Sequence, residues 1–167
     1  MNIIIEMAKS SDAAQILEYL KQVGGETDNL TFGKEGMPFS QKAEEDYIAK
    51  MENSIDDIML VAKQDEKIIG IASLNRQPRR MSHRGDFGVS VLKNHWGEGI
   101  GSKLLEGIIN FAKENAFSII DLQVRSDNLR AIHLYEKYGF VKYATHPAFH
   151  KIGNDNIPYD FMLLELN

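Results

Sequence analysis

Between residues 97 and 101 every second position is glycine: Gly97, Gly99 and Gly101. The residues just before, Gly85 to Leu92, read as a strand. Those just after carry Ile100, Leu104, Leu105, Ile108, Ile109 and Ala112 on one side of a helix. A chain that turns through glycines from a strand into such a helix is bound to an architecture of a sheet with helices packed on it. The glycines let the backbone turn sharply and let a ligand approach without meeting a Cβ. The first N–H groups of the helix have no internal partners and carry the positive end of its dipole. A turn of this kind is a natural cradle for phosphate.

Three patterns compete for such a turn. A P-loop ends in Gly-Lys-Ser/Thr, and here the order is Gly101-Ser102-Lys103, which misplaces the lysine and the metal-binding hydroxyl. A dinucleotide fold needs a further glycine where Leu104 stands, and usually places its loop after the first strand, whereas this one follows about the fourth. No acidic pair suggests magnesium nearby. What remains is a ligand whose pyrophosphate is held by backbone alone, or a plain glycine-rich turn, the usual reading of an isolated Gly-x-Gly.

The rest of the chain fits one domain, residues 1–167, with 43% hydrophobic and 26% charged residues to build a core and a surface. Cysteine is absent, which excludes a disulfide scaffold, a cysteine nucleophile and a thiolate metal site, and fits a reducing, cytoplasmic compartment. The net charge of −5 argues against a nucleic-acid partner. The start of the chain has no basic segment leading an apolar run, and no apolar stretch reaches membrane-spanning length, so neither a signal peptide nor a membrane is expected. The locally basic run from Gln77 to Arg84 reads as a solvated turn, with an anion site as the alternative.

Periodicity gives the order β-α-α-β-β-β-α-β-α-β-β, a mixed α/β sheet. Ile3 to Met7 is the first strand, and Gly24-Gly25 ends the first helix. The aperiodic stretch from Glu26 to Phe39 is long enough for a functional loop. Ser40 caps the second helix, and Gln64-Asp65-Glu66 turns a hairpin. Ser118 to Val124 is a strand, Asp127 to Tyr138 a helix, and Phe140 to Thr145 and Asp160 to Leu166 the last two strands. In the last helix region, Asn128, Ile132 and Tyr135 fall on one helical face, with Asn128 and Tyr135 about 10 Å apart along the axis. That separation suits an elongated ligand. A core-packing tyrosine is the alternative for Tyr135. His146 and His150 stand four apart with Pro147 between them and no third ligand in view, so they read as loop histidines and no metal is expected.

The loop Trp96-Gly97-Glu98-Gly99-Ile100-Gly101 resembles the Gln/Arg-x-x-Gly-x-Gly/Ala pattern of the GNAT superfamily, the Gcn5-related N-acetyltransferases. Tryptophan departs from the first position, where the family side chain supports the loop while backbone binds the pyrophosphate. Downstream, Asn128-Leu129-Arg130-Ala131-Ile132-His133-Leu134-Tyr135-Glu136-Lys137-Tyr138-Gly139-Phe140 resembles the family's N-x-x-A-x-x-x-Y-x-x-x-G-F signature. The resemblance implies a single-domain fold whose mostly antiparallel sheet is splayed at the cofactor site and flanked by about four helices. It implies acetyl-coenzyme A (acetyl-CoA) as cosubstrate, held by Trp96 to Ser102, with Val89, Ser90 and Val91 pairing with the pantetheine amides like an added strand. A backbone N–H near Val91 then serves the acetyl carbonyl as oxyanion donor. By the same resemblance Asn128 hydrogen-bonds the pantetheine arm and Tyr135 protonates the departing thiolate.

The resemblance does not fix the base that takes the amine's proton. Glutamate serves in some members at the position of Gln123, and glutamine cannot. Asp86 lies near the place of an acid used by others, and His83, three residues earlier, has the chemistry for base work; an exposed strand start is the alternative for both, and water relaying a proton to a distant acid is another. Glu26 and Asp28 are candidates for binding a cationic substrate, with plain solvation as the alternative. The function expected is direct acetyl transfer to a primary amine of a small molecule such as an amino acid, a polyamine or a drug-like amine. A protein N-terminus or lysine as acceptor, and a non-catalytic acyl-CoA-binding module, are the alternatives. Many proteins of this fold form homodimers through their C-terminal strands, so the resemblance allows a homodimer.

Overall fold

In a computed structural model, which describes residues 2–167, eleven main elements follow the order read from the sequence. They are β1 (Ile3–Met7), α1 (Ala13–Glu26), α2 (Gln41–Met51), β2 (Asp57–Gln64), β3 (Lys67–Arg76), β4 (Arg84–Val91), α3 (Ile100–Glu114), β5 (Ile119–Arg125), α4 (Leu129–Lys137), β6 (Val141–Ile152) and β7 (Asp155–Glu165). One seven-stranded sheet runs β1-β2-β3-β4-β5-β7-β6. Every pairing in it is antiparallel except β4 with β5.

Helices cover both faces of the sheet. Alternation along β3 and β4 assigns the faces: a Cβ added to Gly70 would meet Leu104 and Ile100 of α3, whereas the next pair in register, Ile71 with Ser90, meets α1 through the Tyr19 hydroxyl, 2.9 Å from the Ser90 hydroxyl. The apolar stripe of α3 is driven into the sheet, with Ile100, Leu104, Leu105, Ile108 and Ala112 each at most 1% exposed. Burial stabilises each large aliphatic side chain by about 1.5–3 kcal/mol, so this helix is a main anchor of the core. The β2–β3 hairpin turns on Asp65 and Glu66, both left-handed (φ 50° and 68°), as a two-residue loop between twisted strands demands.

Three boundaries differ from the sequence reading. α1 runs through Gly24 and Gly25 to Glu26. A Cβ on Gly24 would collide with the Gly33 carbonyl oxygen, so this glycine admits the loop that follows rather than stopping the helix. α4 starts at Leu129, with Asn128 as its N-cap. The last two strands are longer than expected, and His146, Pro147 and His150 lie in β6. Its register with β7 slips there: His146 faces Tyr159 and His150 faces Ile157. Three residues, Pro147, Ala148 and Phe149, thus stand against Pro158 alone, which is a bulge.

Arg76 ties the far end of the sheet together. Its guanidinium donates to the Asp56 carboxylate and to the carbonyls of Ser82, Ile55 and Asn115 at 2.6–3.0 Å, and stacks 3.8 Å above the Phe117 ring.

Candidate active site

β4 and β5 pair over three rungs only, Arg84 with Ile119, Gly85 with Ile120 and Asp86 with Asp121, and then part. Beyond that point β4 keeps β3 on one side and nothing on the other. The Leu92 N–H donates to the Ile69 carbonyl, so even-numbered residues of β4 turn their backbone groups to β3. By alternation the N–H and C=O groups of Phe87 and Val89, and the Val91 N–H, face the gap. The Val91 carbonyl accepts the Trp96 indole N–H at 2.8 Å, which fixes the indole behind the glycine turn. Arg130 of α4 stacks on the same ring, 4.4 Å from its centroid.

The gap opens into a cavity of about 610 Å³ that also takes in the glycine turn. Gly97 and Gly99 adopt φ of 83° and 79°, and a Cβ on either would meet nothing within 4 Å, so both backbones are open to a ligand. The first backbone bond into α3 is from Lys103 to Gly99, leaving the N–H groups of Ile100, Gly101 and Ser102 without a helical acceptor. Gly101 has another constraint, since a Cβ there would lie 3.3 Å from Leu134 of α4. Glu98 turns aside to meet His95 Nδ1 at 3.0 Å, and the Ser102 hydroxyl bonds to Tyr138.

Tyr135 lines the same cavity from α4, 7% exposed, between Phe87 (ring centroids 6.1 Å apart, edge-on) and Phe140 (5.8 Å). Burial pushes its phenol well above the ordinary tyrosine range, so the hydroxyl keeps its proton. Asn128 lines the cavity too, its side-chain oxygen accepting the Ala131 N–H at 3.4 Å as the cap of α4.

The cavity therefore brings together Val89, Ser90, Val91, Asn128 and Tyr135 with Trp96, Gly97, Gly99, Ile100, Gly101 and Ser102. The remaining candidates lie outside its lining. Asp86 stands one step away, at the parting point of β4 and β5, accepting hydrogen bonds from the side chains of Gln123 and Gln77. Asp86 is itself exposed at the surface, yet the protein packed around its carboxyl, then the nearby Asp121 carboxylate, raise its pKa above the usual aspartate value. Asp121 itself is paired with Arg84 at 2.7 Å. His83 is exposed at the paired end, its carbonyl accepting the N–H groups of Ser118 and Ile119. Glu26 accepts the Lys93 N–H at 2.9 Å, pinning the end of α1 to the turn before the glycines. Asp28 lines a neighbouring depression with Arg125 and Asp127, and its carbonyl accepts from Arg125. Nothing in their spacing marks Leu30, Phe32, Phe149 and Tyr159 as neighbours, yet all four line the cavity, as does Gln123.

The model of the acetyltransferase (GNAT) family matches residues 26–140. The chain is 28% identical over 111 residues to the L-amino acid N-acyltransferase MnaT of Escherichia coli, a match over 65% of this chain and 64% of that protein, so it spans under two thirds of that curated relative. An acetyltransferase of the GNAT family from Streptococcus pneumoniae has a TM-score of 0.95 at 29% identity, over 99% of this chain and 100% of that one. YncA of Salmonella typhimurium, solved with its cofactor acetyl-CoA, shares the fold with a TM-score of 0.86 at 22% identity, over 100% and 95% of the two chains. With its family match reaching from the end of α1 to the start of β6, and its splayed sheet and glycine turn in place, the chain belongs to the acetyltransferase (GNAT) family.

Proposed function

We propose that this chain transfers acetyl from acetyl-CoA directly to a primary amine of a small molecule, without a covalent acyl-enzyme. The observation that carries the reading is the parting of β4 from β5 beside a glycine turn with uncapped helix N–H groups. The residues fit the cofactor: the turn offers backbone donors with no Cβ in the way, and β4 offers a free edge. YncA was solved with acetyl-CoA, which supports the cofactor, and MnaT is an acyltransferase of L-amino acids, which supports a small acceptor.

When bound, acetyl-CoA supplies an activated thioester. Ile100, Gly101 and Ser102 hold its pyrophosphate through their N–H groups, with Arg130 adding charge nearby. The edge of β4 at Val89 and Val91 pairs with the pantetheine amides, and Asn128 meets the arm from the other side. The Tyr135 hydroxyl keeps a proton for the departing sulfur. Asp86, its pKa raised by burial and by Asp121, takes the proton from the amine directly or through one water, and Gln123 orients its carboxyl. His83 lies on the far side of this point, so Asp86 is the better base. Glu26 acts through the turn it pins rather than on substrate, and Asp28 borders the mouth of the cavity.

Incubation of the purified chain with acetyl-CoA and a panel of primary amines, read by thiol release and product mass, tests the reading. Amine-dependent gain of one acetyl group is expected; acetyl-CoA binding without turnover on any amine would favour a binding module instead.

A further inference from the structure

The bulge in β6 sets an aromatic wall beside the point where Asp86 meets Gln123. Extruded between His146 and His150, Phe149 brings its ring 4.6 Å from that of Tyr159 and 5.6 Å from that of Phe161, the latter edge-on at 88°. In the sheet register Phe161 lies beside Gln123, and Tyr159 beside Arg125, so the wall stands on the Gln123 face, with Tyr159 and Phe161 one strand from it and Phe149 two. Across the cavity Leu30 and Phe32 come from the loop between α1 and α2, and the Tyr159 hydroxyl donates to the Asn29 carbonyl at 3.3 Å, holding loop and hairpin together. An open ring edge beside an offset aromatic pair is a site for another ring.

The arginines on this side are already engaged. Arg125 donates to both Asp127 oxygens and to the Asp28 carbonyl, and Arg84 is paired with Asp121. The cationic side chain lining the cavity, Arg130, stacks on Trp96 at the glycine-turn end. A carboxylate carried by the acceptor would lose water here without gaining a charged partner, a costly exchange. A single positive amine has Asp86 and the Gln123 amide oxygen to meet it.

From this geometry we infer that the acceptor is an aryl group bearing a primary amine on a short chain and no carboxylate, with Phe149 as the residue that selects the ring. The inference rests on the acetyltransferase reading above. In the transfer the ammonium first loses one proton through Asp86 to solvent; the neutral amine then forms the C–N bond as the thioester C–S bond breaks, its second proton leaves for Asp86, and Tyr135 gives a proton to sulfur and regains one from solvent. The products are the N-acetylated arylalkylamine and coenzyme A.

Three probes separate the features: phenethylamine (ring, no carboxylate), phenylalanine (ring and carboxylate) and 1,4-diaminobutane (no ring). For the wild-type chain, kcat/KM for phenethylamine should exceed either of the others by about tenfold or more, a difference of one well-placed ring or one unpaired charge. In Phe149→Ala, and in the bulk-retaining variant Phe149→Leu, the phenethylamine-to-diaminobutane ratio should fall by about tenfold, through KM. Phenylalanine turned over as well as phenethylamine, a ratio unmoved in both variants, or acetyl-CoA binding with no turnover of phenethylamine would each overturn the aromatic assignment. Failure to bind acetyl-CoA in calorimetry would overturn the acetyltransferase reading beneath it.

Discussion

The side chains of Asp86 and Gln123 meet at the fork where β4 and β5 part, Asp86 on the last shared rung and Gln123 two residues beyond the rung of its own strand. The contact joins the two halves of the site. Gln123 lines the cavity, while Asp86 sits just behind it with a pKa raised by burial and by Asp121.

Asp86→Asn should cut kcat/KM on the order of a hundredfold, within the range of a lost general base. In the wild type the activity should climb with pH through the raised Asp86 pKa, and this limb should vanish in the variant. The stability effect has the opposite sign. Because the native state holds the Asp86 proton more tightly than the unfolded chain, stability falls as pH rises from the ordinary aspartate range through the native pKa. Parallel pH titrations of rate and of thermal unfolding check both.

Tyr135→Phe removes the hydroxyl and keeps the ring packed between Phe87 and Phe140. The expected result is a fall in kcat on the order of 10²-fold with little change in acetyl-CoA affinity. Steady-state kinetics with calorimetry measures the two separately, and unchanged turnover would remove Tyr135 from the chemistry.

Gly99→Ala forces a Cβ onto a backbone at φ 79°, at a cost of about 1–2 kcal/mol that the turn can relieve only by shifting. Acetyl-CoA should bind about tenfold more weakly, the equivalent of some 1.4 kcal/mol. Equal affinity would mean that the turn does not hold the pyrophosphate.

Arg76→Lys replaces a fork that serves four acceptors with a single ammonium group. Urea denaturation should register a loss of roughly 2–3 kcal/mol, since at least two carbonyls are left without a donor.

His150 carries the opposite prediction. Both of its ring nitrogens are buried without a hydrogen-bond partner among the described residues, and the ring packs at a tilt against Tyr159, centroids 4.9 Å apart. His150→Phe keeps the packing and removes the unmet polar atoms, so the melting temperature should rise, by about 1 kcal/mol in stability terms. A lower melting temperature would show that the imidazole finds a partner in solution.

What the sequence determined by itself is local. Alternating glycines ahead of an amphipathic stripe specify a strand, an open turn and a buried helix, because backbone freedom, dipole and period all act within a few residues. The order of all eleven elements was legible for the same reason, and so was the shared face of Asn128 and Tyr135, although Asn128 proves to be the cap rather than part of the helix. Gly24 shows where local logic stops: its composition suggests a helix end, while its role is to admit Gly33 from another segment. Tertiary structure alone decided three things. It parted β4 from β5 after three rungs, it extruded Phe149 from β6, and it brought Asp86 to Gln123. Each depends on register between strands distant in the chain, and register is set by which faces the whole sheet buries rather than by any one segment's pattern.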